Sequence, residues 1–336
     1  MLDSFKTPYQ KLTQNLDEIS EFIDSILTSK ISRSTVSYNA VIISIYGCYE
    51  NFVNSLVEEL LLQISNHSDE HTDIPTDMKI RNIHLSSDYL NSKQRYKNFR
   101  LKEEEVINNI YTGRITNKLL LKHSGNLSAT AIDEYFKNLG IKNVTQSIKN
   151  CNEFCQYYSN TKTLPIKGAK LYLNKIDTKT TFSLLDDIII QRNAIAHSWK
   201  SDDKVDYNII KDEWIIFIRI FCKCLFNIIV EYYSEWLVNH NKLRCLSNFE
   251  IYGSSIIGFY GVIPHYSKTN ETAIVKLNGK IHICDIQSVK IYENHQASMK
   301  IGGYHLDKAK SDKYSFYFDK KFITEYRCDD NEIIYS

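Results

Sequence analysis

The chain has 336 residues, 43% hydrophobic and 24% charged, with a formal net charge of +1. That balance excludes a disordered chain and gives a nucleic-acid partner no global electrostatic signature, so any basic footprint must be local. The eight cysteines are scattered, which excludes a disulfide scaffold and suits core thiols of a cytosolic, cytoplasmic protein.

In chain order, Gln10 to Leu27 repeats Leu12, Leu16, Ile19, Phe22, Ile23 and Ile26 at three- and four-residue steps, which predicts a helix. A longer helix starts at Ser32 or Ser34. It runs through Val36, Ala40, Ile43, Tyr46, Val53, Val57, Leu60 and Ile64. Glu50 interrupts that apolar stripe, so its carboxylate needs a partner, for which Arg192 is a candidate. The segment from His67 to Asp77 reads as a loop around Pro75. Residues 79–102 are basic, with Lys93, Arg95, Lys97, Arg100 and Lys102 as candidate RNA contacts. Tyr89, Tyr96 and Phe99 are interleaved as possible base-stacking rings; a solvated surface is the plainer reading. Ser128 is a good N-cap for Ala129 to Leu139, and Gly140 a good terminator.

Thr180 to Ala196 predicts a helix facing inward through Phe182, Leu185, Ile188 and Ile189. Trp214 to Leu237 predicts a central helix, apolar on most sides; its most apolar stretch, Trp214 to Val230, is interrupted by Arg219 and Lys223 and too short for a comfortable membrane span. Arg219, Lys223, Asn227 and Glu231 form one polar stripe on it, a solvated or interface face rather than a phosphate contact. No membrane partner is expected. Cys151 and Cys155 could share a helix face, but no second pair at zinc-ligand spacing follows, so no metal and no cofactor are expected. After Leu246 glycines and β-prone runs take over, and Leu277-Asn278-Gly279-Lys280 has the composition of a type I′ hairpin turn.

The chemistry-bearing segment is Arg192-Asn193-Ala194-Ile195-Ala196-His197. Asn193 and His197 share a helical face, and Arg192 points about 100° away from Asn193. A cation, an amide and an imidazole thus gather at one helix end. RNA cleavage needs a proton carrier and a fixed cation at the phosphate, which histidine and arginine supply. Arginine and histidine at a helix end are also common for purely structural reasons.

Arg192-Asn193-x-x-x-His197 resembles the R-x4-6-H motif of the HEPN superfamily. Ser37 to Leu62, with Tyr46-Gly47-x-x-Glu50, is similar to the first core helix of its larger members. Leu121 to Gly140, with Ser124-Gly125-Asn126-Leu127, is similar to a small motif between their helix pairs. The resemblance covers about 1–246. It implies a mainly α fold, a HEPN-type helical bundle with an insert at about 66–150; the β-prone runs after Leu246, read by themselves, predict a small antiparallel β domain at about 247–336. The resemblance also implies a homodimer that sets two motifs face to face, and a metal-independent endoribonuclease leaving 2′,3′-cyclic phosphate and 5′-OH ends. His197 would carry the proton, Arg192 would stabilise phosphate, Asn193 would orient, and Glu50 would support. Many relatives are toxins or act in phage defence, so an antitoxin or defence-system partner is implied. Tyrosine often stands two residues after the histidine in toxins paired with nucleotidyltransferase antitoxins; Trp199 takes that place here. The alternative is a catalytically silent HEPN module that binds nucleotide or RNA, or acts as a scaffold.

Overall fold

The computed structural model describes the chain except residues 1, 29–33, 70, 124, 199–203, 243 and several segments of 247–336. Two compact units result: Ser4–Val230, and Glu231–Ser336 with Met1–Asp3.

The first unit is helical. Its elements are α1 (Lys6–Thr28), α2 (Thr35–His67), α3 (Thr76–Asn91), α4 (Glu103–Tyr111), α5 (Asn117–Leu120), α6 (Ala129–Lys137) and α7 (Val144–Asn150). Then follow α8 (Asn152–Lys162), α9 (Ile166–Lys175), α10 (Thr178–Thr181), α11 (Ser183–Ser198), α12 (Tyr207–Ile209) and α13 (Ile216–Asn239), of which the residues from Glu231 on count to the second unit. A π-helical stretch, Ile210–Ile215, joins α12 to α13.

Ser34 starts α2 by accepting the Ser37 N–H at 3.1 Å, a side-chain cap of the expected kind. From there Tyr38, Ile42, Ile45, Tyr49, Phe52, Leu56 and Leu60 are buried at helical spacing. The length and composition of α2 would suit a membrane span, but α1 and α11 pack along it. On α1, Leu12, Leu16, Ile19, Ile23 and Ile26 are buried as the periodicity predicts. Phe22 corrects that reading: it is 45% exposed, because the step from Ile19 to Ile23 already closes the inward face. Val36, Ala40 and Ile43 likewise lie outside the α2 core face.

The core of this unit is aromatic at its centre. Phe182, at the junction of α10 and α11, packs between Phe154 of α8 at 5.5 Å and Phe221 of α13 at 5.6 Å. Ser128 caps α6 by accepting from the Ala131 N–H at 3.3 Å, and Gly140 takes φ 85° just beyond the helix. Three residues of the polar stripe on α13 are engaged inside this unit. Arg219 donates to Asp17 at 2.6 Å, Lys223 lies 4.9 Å from the Tyr9 and Phe226 rings, and Asn227 donates to Glu153 at 2.9 Å.

In the second unit the described residues beyond Lys242 are strands. Phe249–Tyr252, Ile256–Tyr260, Lys313–Phe318, Lys280–Glu293, Thr272–Leu277, Glu332–Tyr335 and Arg244–Leu246 pair in that order, and every pairing is antiparallel. Leu277 pairs with Lys280, so the register closes over two residues; those two, Asn278 and Gly279, lie outside the described residues.

Candidate functional site

The site forms where α11 lies against α2 and the turn after residue 124 reaches over both. Arg192 and Asn193 sit half-buried near the end of α11, and His197 is exposed one turn later. Burial of Leu185, Ile188, Ile189 and Ile195 sets the rotation of the helix. That rotation turns Arg192 toward Tyr46 on α2, with its guanidinium carbon 5.0 Å from the ring centroid.

Asn126 completes the clasp. Arg192 Nη1 donates to Asn193 Oδ1 at 3.1 Å and more weakly to Asn126 Oδ1 at 3.5 Å. Asn126 Nδ2 donates in turn to Asn193 Oδ1 at 3.3 Å. The two amide oxygens and the aromatic face hold the cation without neutralising it, since none carries a formal charge. A guanidinium kept in that state can still pair with phosphate.

Glu50 meets Arg192 only through Tyr46. Among the described residues it forms no ion pair with Arg192; instead Tyr46 Oη donates to Glu50 Oε1 at 3.3 Å. The phenol has one proton, and Asn126 Oδ1 stands 3.4 Å away as the competing acceptor. The carboxylate is the stronger of the two. Tyr46 Oη also accepts the Leu127 N–H at 3.3 Å, and Tyr49 Oη donates to the Leu127 carbonyl at 2.7 Å. Burial pushes the Tyr46 hydroxyl above its usual range; Glu50 adds to the rise and Arg192 opposes it. Tyr46 therefore stays a neutral donor at physiological pH.

His197 makes no side-chain hydrogen bond among the described residues, and its imidazole faces solvent. Ile190, Ala194 and His197 lie on one face of α11, and Ile190 is 62% exposed. A parallel feature marks α2, where Val36, Ala40, Ile43 and Gly47 share an exposed face at helical spacing. A Cβ at Gly47 would meet nothing within 4 Å, so packing within the chain does not require glycine there.

The predicted basic segment divides on inspection. Lys97, Arg100 and Lys102 are exposed, whereas the side chains of Lys93 and Arg95 lie outside the described residues. Its rings are not a stacking platform. Tyr89 and Tyr96 are buried against each other at 5.6 Å, Tyr89 Oη donates to the Leu101 carbonyl and Tyr96 Oη to Asp88. Phe99 packs 5.7 Å from Tyr96, and Lys122 covers that ring at 3.7 Å. A local core has consumed the aromatics that sequence spacing offered to bases. Trp199 lies outside the described residues.

Sequence reasoning assigned no role at the site to Asn126 or Tyr46. Their signal was present only as neighbours in quoted segments, Gly125-Asn126-Leu127 and Tyr46-Gly47-x-x-Glu50.

The helical bundle that presents this Arg-Asn-x3-His helix end, clasped by a tyrosine and an asparagine, matches a HEPN-type family. The RiboL-PSP-HEPN family matches residues 10–231, and the chain belongs to that family. The match spans both α2 and α11, so it contains every member of the clasp. No curated protein matches the chain, and no solved structure does. Membership of a HEPN family points to an RNA-related function.

Proposed function

We propose that this chain is a metal-independent endoribonuclease that works as a homodimer. The observation that carries the reading is the pairing of a held, un-neutralised Arg192 with an accessible His197 on the same helix. The imidazole takes the proton from the ribose 2′-OH or delivers one to the leaving 5′ oxygen. Arg192 offsets charge building on the phosphorane. Asn193 and Asn126 orient the guanidinium, and Glu50 acts one step further back by holding Tyr46.

One chain supplies one such histidine, and acid–base cleavage uses two proton carriers. The exposed apolar faces of α2 and α11 support docking of a second copy there. Val36 and Ile190 are each 62% exposed and Ile43 is 46% exposed, a surface a two-fold partner would cover. The exposed Lys97, Arg100 and Lys102 suit contact with an RNA backbone. We read 247–336 as a separate small β domain and the whole as a cytoplasmic toxin or phage-defence effector, held in check by an antitoxin or a partner of its own system.

The test is incubation of purified wild-type and His197→Ala protein with total RNA, followed by mapping of the ends. Wild type should leave 2′,3′-cyclic phosphate and 5′-OH termini, at a rate that added Mg²⁺ or Mn²⁺ does not raise. Loss of one proton carrier should slow cleavage about a hundredfold or more. Undiminished cleavage by His197→Ala would remove the assignment.

A further inference from the structure

The helical unit carries a second cluster of reactive groups that the RNA site does not use. Cys151 is the residue capping the start of α8, and Glu153 lies in the first turn of that helix. Cys224 comes from α13, 73 residues further on, and is fully buried. One ligand atom of each, two sulfurs and a carboxylate oxygen, lies within 4.8 Å of the others.

We propose that Cys151, Glu153 and Cys224 bind one zinc ion that clamps the start of α8 to α13. The donor set is the first reason. Two thiolates select a borderline-soft ion over Mg²⁺ or Ca²⁺, and a carboxylate completes three protein ligands. The spacing is the second. A tetrahedral zinc with sulfur ligands at about 2.3 Å needs ligand atoms about 3.5 to 3.8 Å apart. The cluster reaches that by small side-chain adjustments from contacts such as Cys151 Sγ to Glu153 Oε2 at 2.9 Å.

The surrounding groups are the third reason. Asn227, one turn beyond Cys224 on α13, donates to Glu153 Oε1 at 2.9 Å and so orients the carboxylate from outside the ligand set. Cys151 and Glu153 are only half-buried, so the ion has a route in. The neighbouring thiols behave differently: Cys155 is buried and donates to the Lys149 carbonyl at 3.3 Å, and Cys222 is buried outright. Those two are core residues. On binding, both thiols lose their protons to solvent, and a water molecule supplies the fourth ligand.

The experiment titrates reduced, metal-free full-length protein with Co²⁺, a spectroscopic stand-in for zinc. The expected result is one Co²⁺ per chain, with thiolate-to-cobalt charge-transfer absorption in the near ultraviolet and the strong visible bands of a tetrahedral ion, all displaced by Zn²⁺. Cys151→Ser should remove the charge-transfer absorption while keeping the helical circular dichroism, because serine is itself a favoured N-cap. Cys155→Ser should leave the spectrum unchanged. His197→Ala should abolish RNA cleavage and keep the cobalt spectrum, which separates this site from the other. Absence of the absorption in wild type, or its survival in Cys151→Ser, overturns the proposal.

Discussion

At the scale of single residues, the site separates groups that do chemistry from groups that hold them, and the two kinds fail differently. His197 is exposed and carries no packing. His197→Ala should therefore leave the melting temperature nearly unchanged while cleavage collapses. Tyr46 is the opposite case. Its hydroxyl holds Glu50 and receives the Leu127 N–H, while its ring lies under Arg192. Tyr46→Phe keeps the ring and orphans the Leu127 donor, so stability should fall by about 1–3 kcal/mol. Cleavage should fall less than in His197→Ala, because Asn193 and the ring still hold the guanidinium. Denaturant melts beside single-turnover rates would show it; an activity loss as large as that of His197→Ala would mean the phenol itself touches the reacting phosphate.

Between elements, the exposed apolar faces of α2 and α11 have no partner within the described residues that explains them. Glycine inside a helix costs about 1 kcal/mol relative to alanine, and Gly47 has open space where its Cβ would be. Gly47→Leu should leave the isolated subunit as stable or more so, yet prevent two copies from closing. Ile43→Glu should separate them too, through charge. Both variants should run as monomers in sedimentation analysis and lose cleavage. A dimer that survives both substitutions would move the interface elsewhere. Elements of this kind were largely legible in the sequence, because their causes are local. Ser34 announces α2, the Leu12–Leu16–Ile19–Ile23–Ile26 steps announce α1, and Gly140 closes the region of α6. Contacts between elements were not. Asn126 meets Arg192 across 66 positions, Cys151 meets Cys224 across 73, and Tyr96 turns inward because Asp88 accepts its hydroxyl. Periodicity marks which face is apolar, but not which distant turn will lie against it. For the same reason the spacing of rings in the basic segment does not tell a base-stacking surface from the local core in which Tyr89 and Tyr96 pack together.

For the molecule as a whole, a shared site makes activity a property of pairs. Wild-type protein mixed in equal amounts with His197→Ala protein, under exchange conditions, should leave about a quarter of the dimers fully wild type. Mixed dimers carry one histidine where two are used, so total activity should drop below simple dilution toward that fraction. Activity proportional to the wild-type share would mean each subunit cleaves alone. The π-helical stretch at Ile210–Ile215 has a consequence of another kind. A π turn holds one residue more than the α turns around it. Everything downstream, Phe217, Phe221 and Cys224 included, is in phase with the core only because that extra residue is absorbed there. Removing one residue from 210–215 should tighten the turn to α geometry and leave Phe221 facing Phe182. The same deletion a few positions later would rotate the remainder of α13 by about 100° and swing its aromatic side chains out of the core. Single-codon deletions scanned along this helix should find one tolerant window, and it should coincide with the π turn.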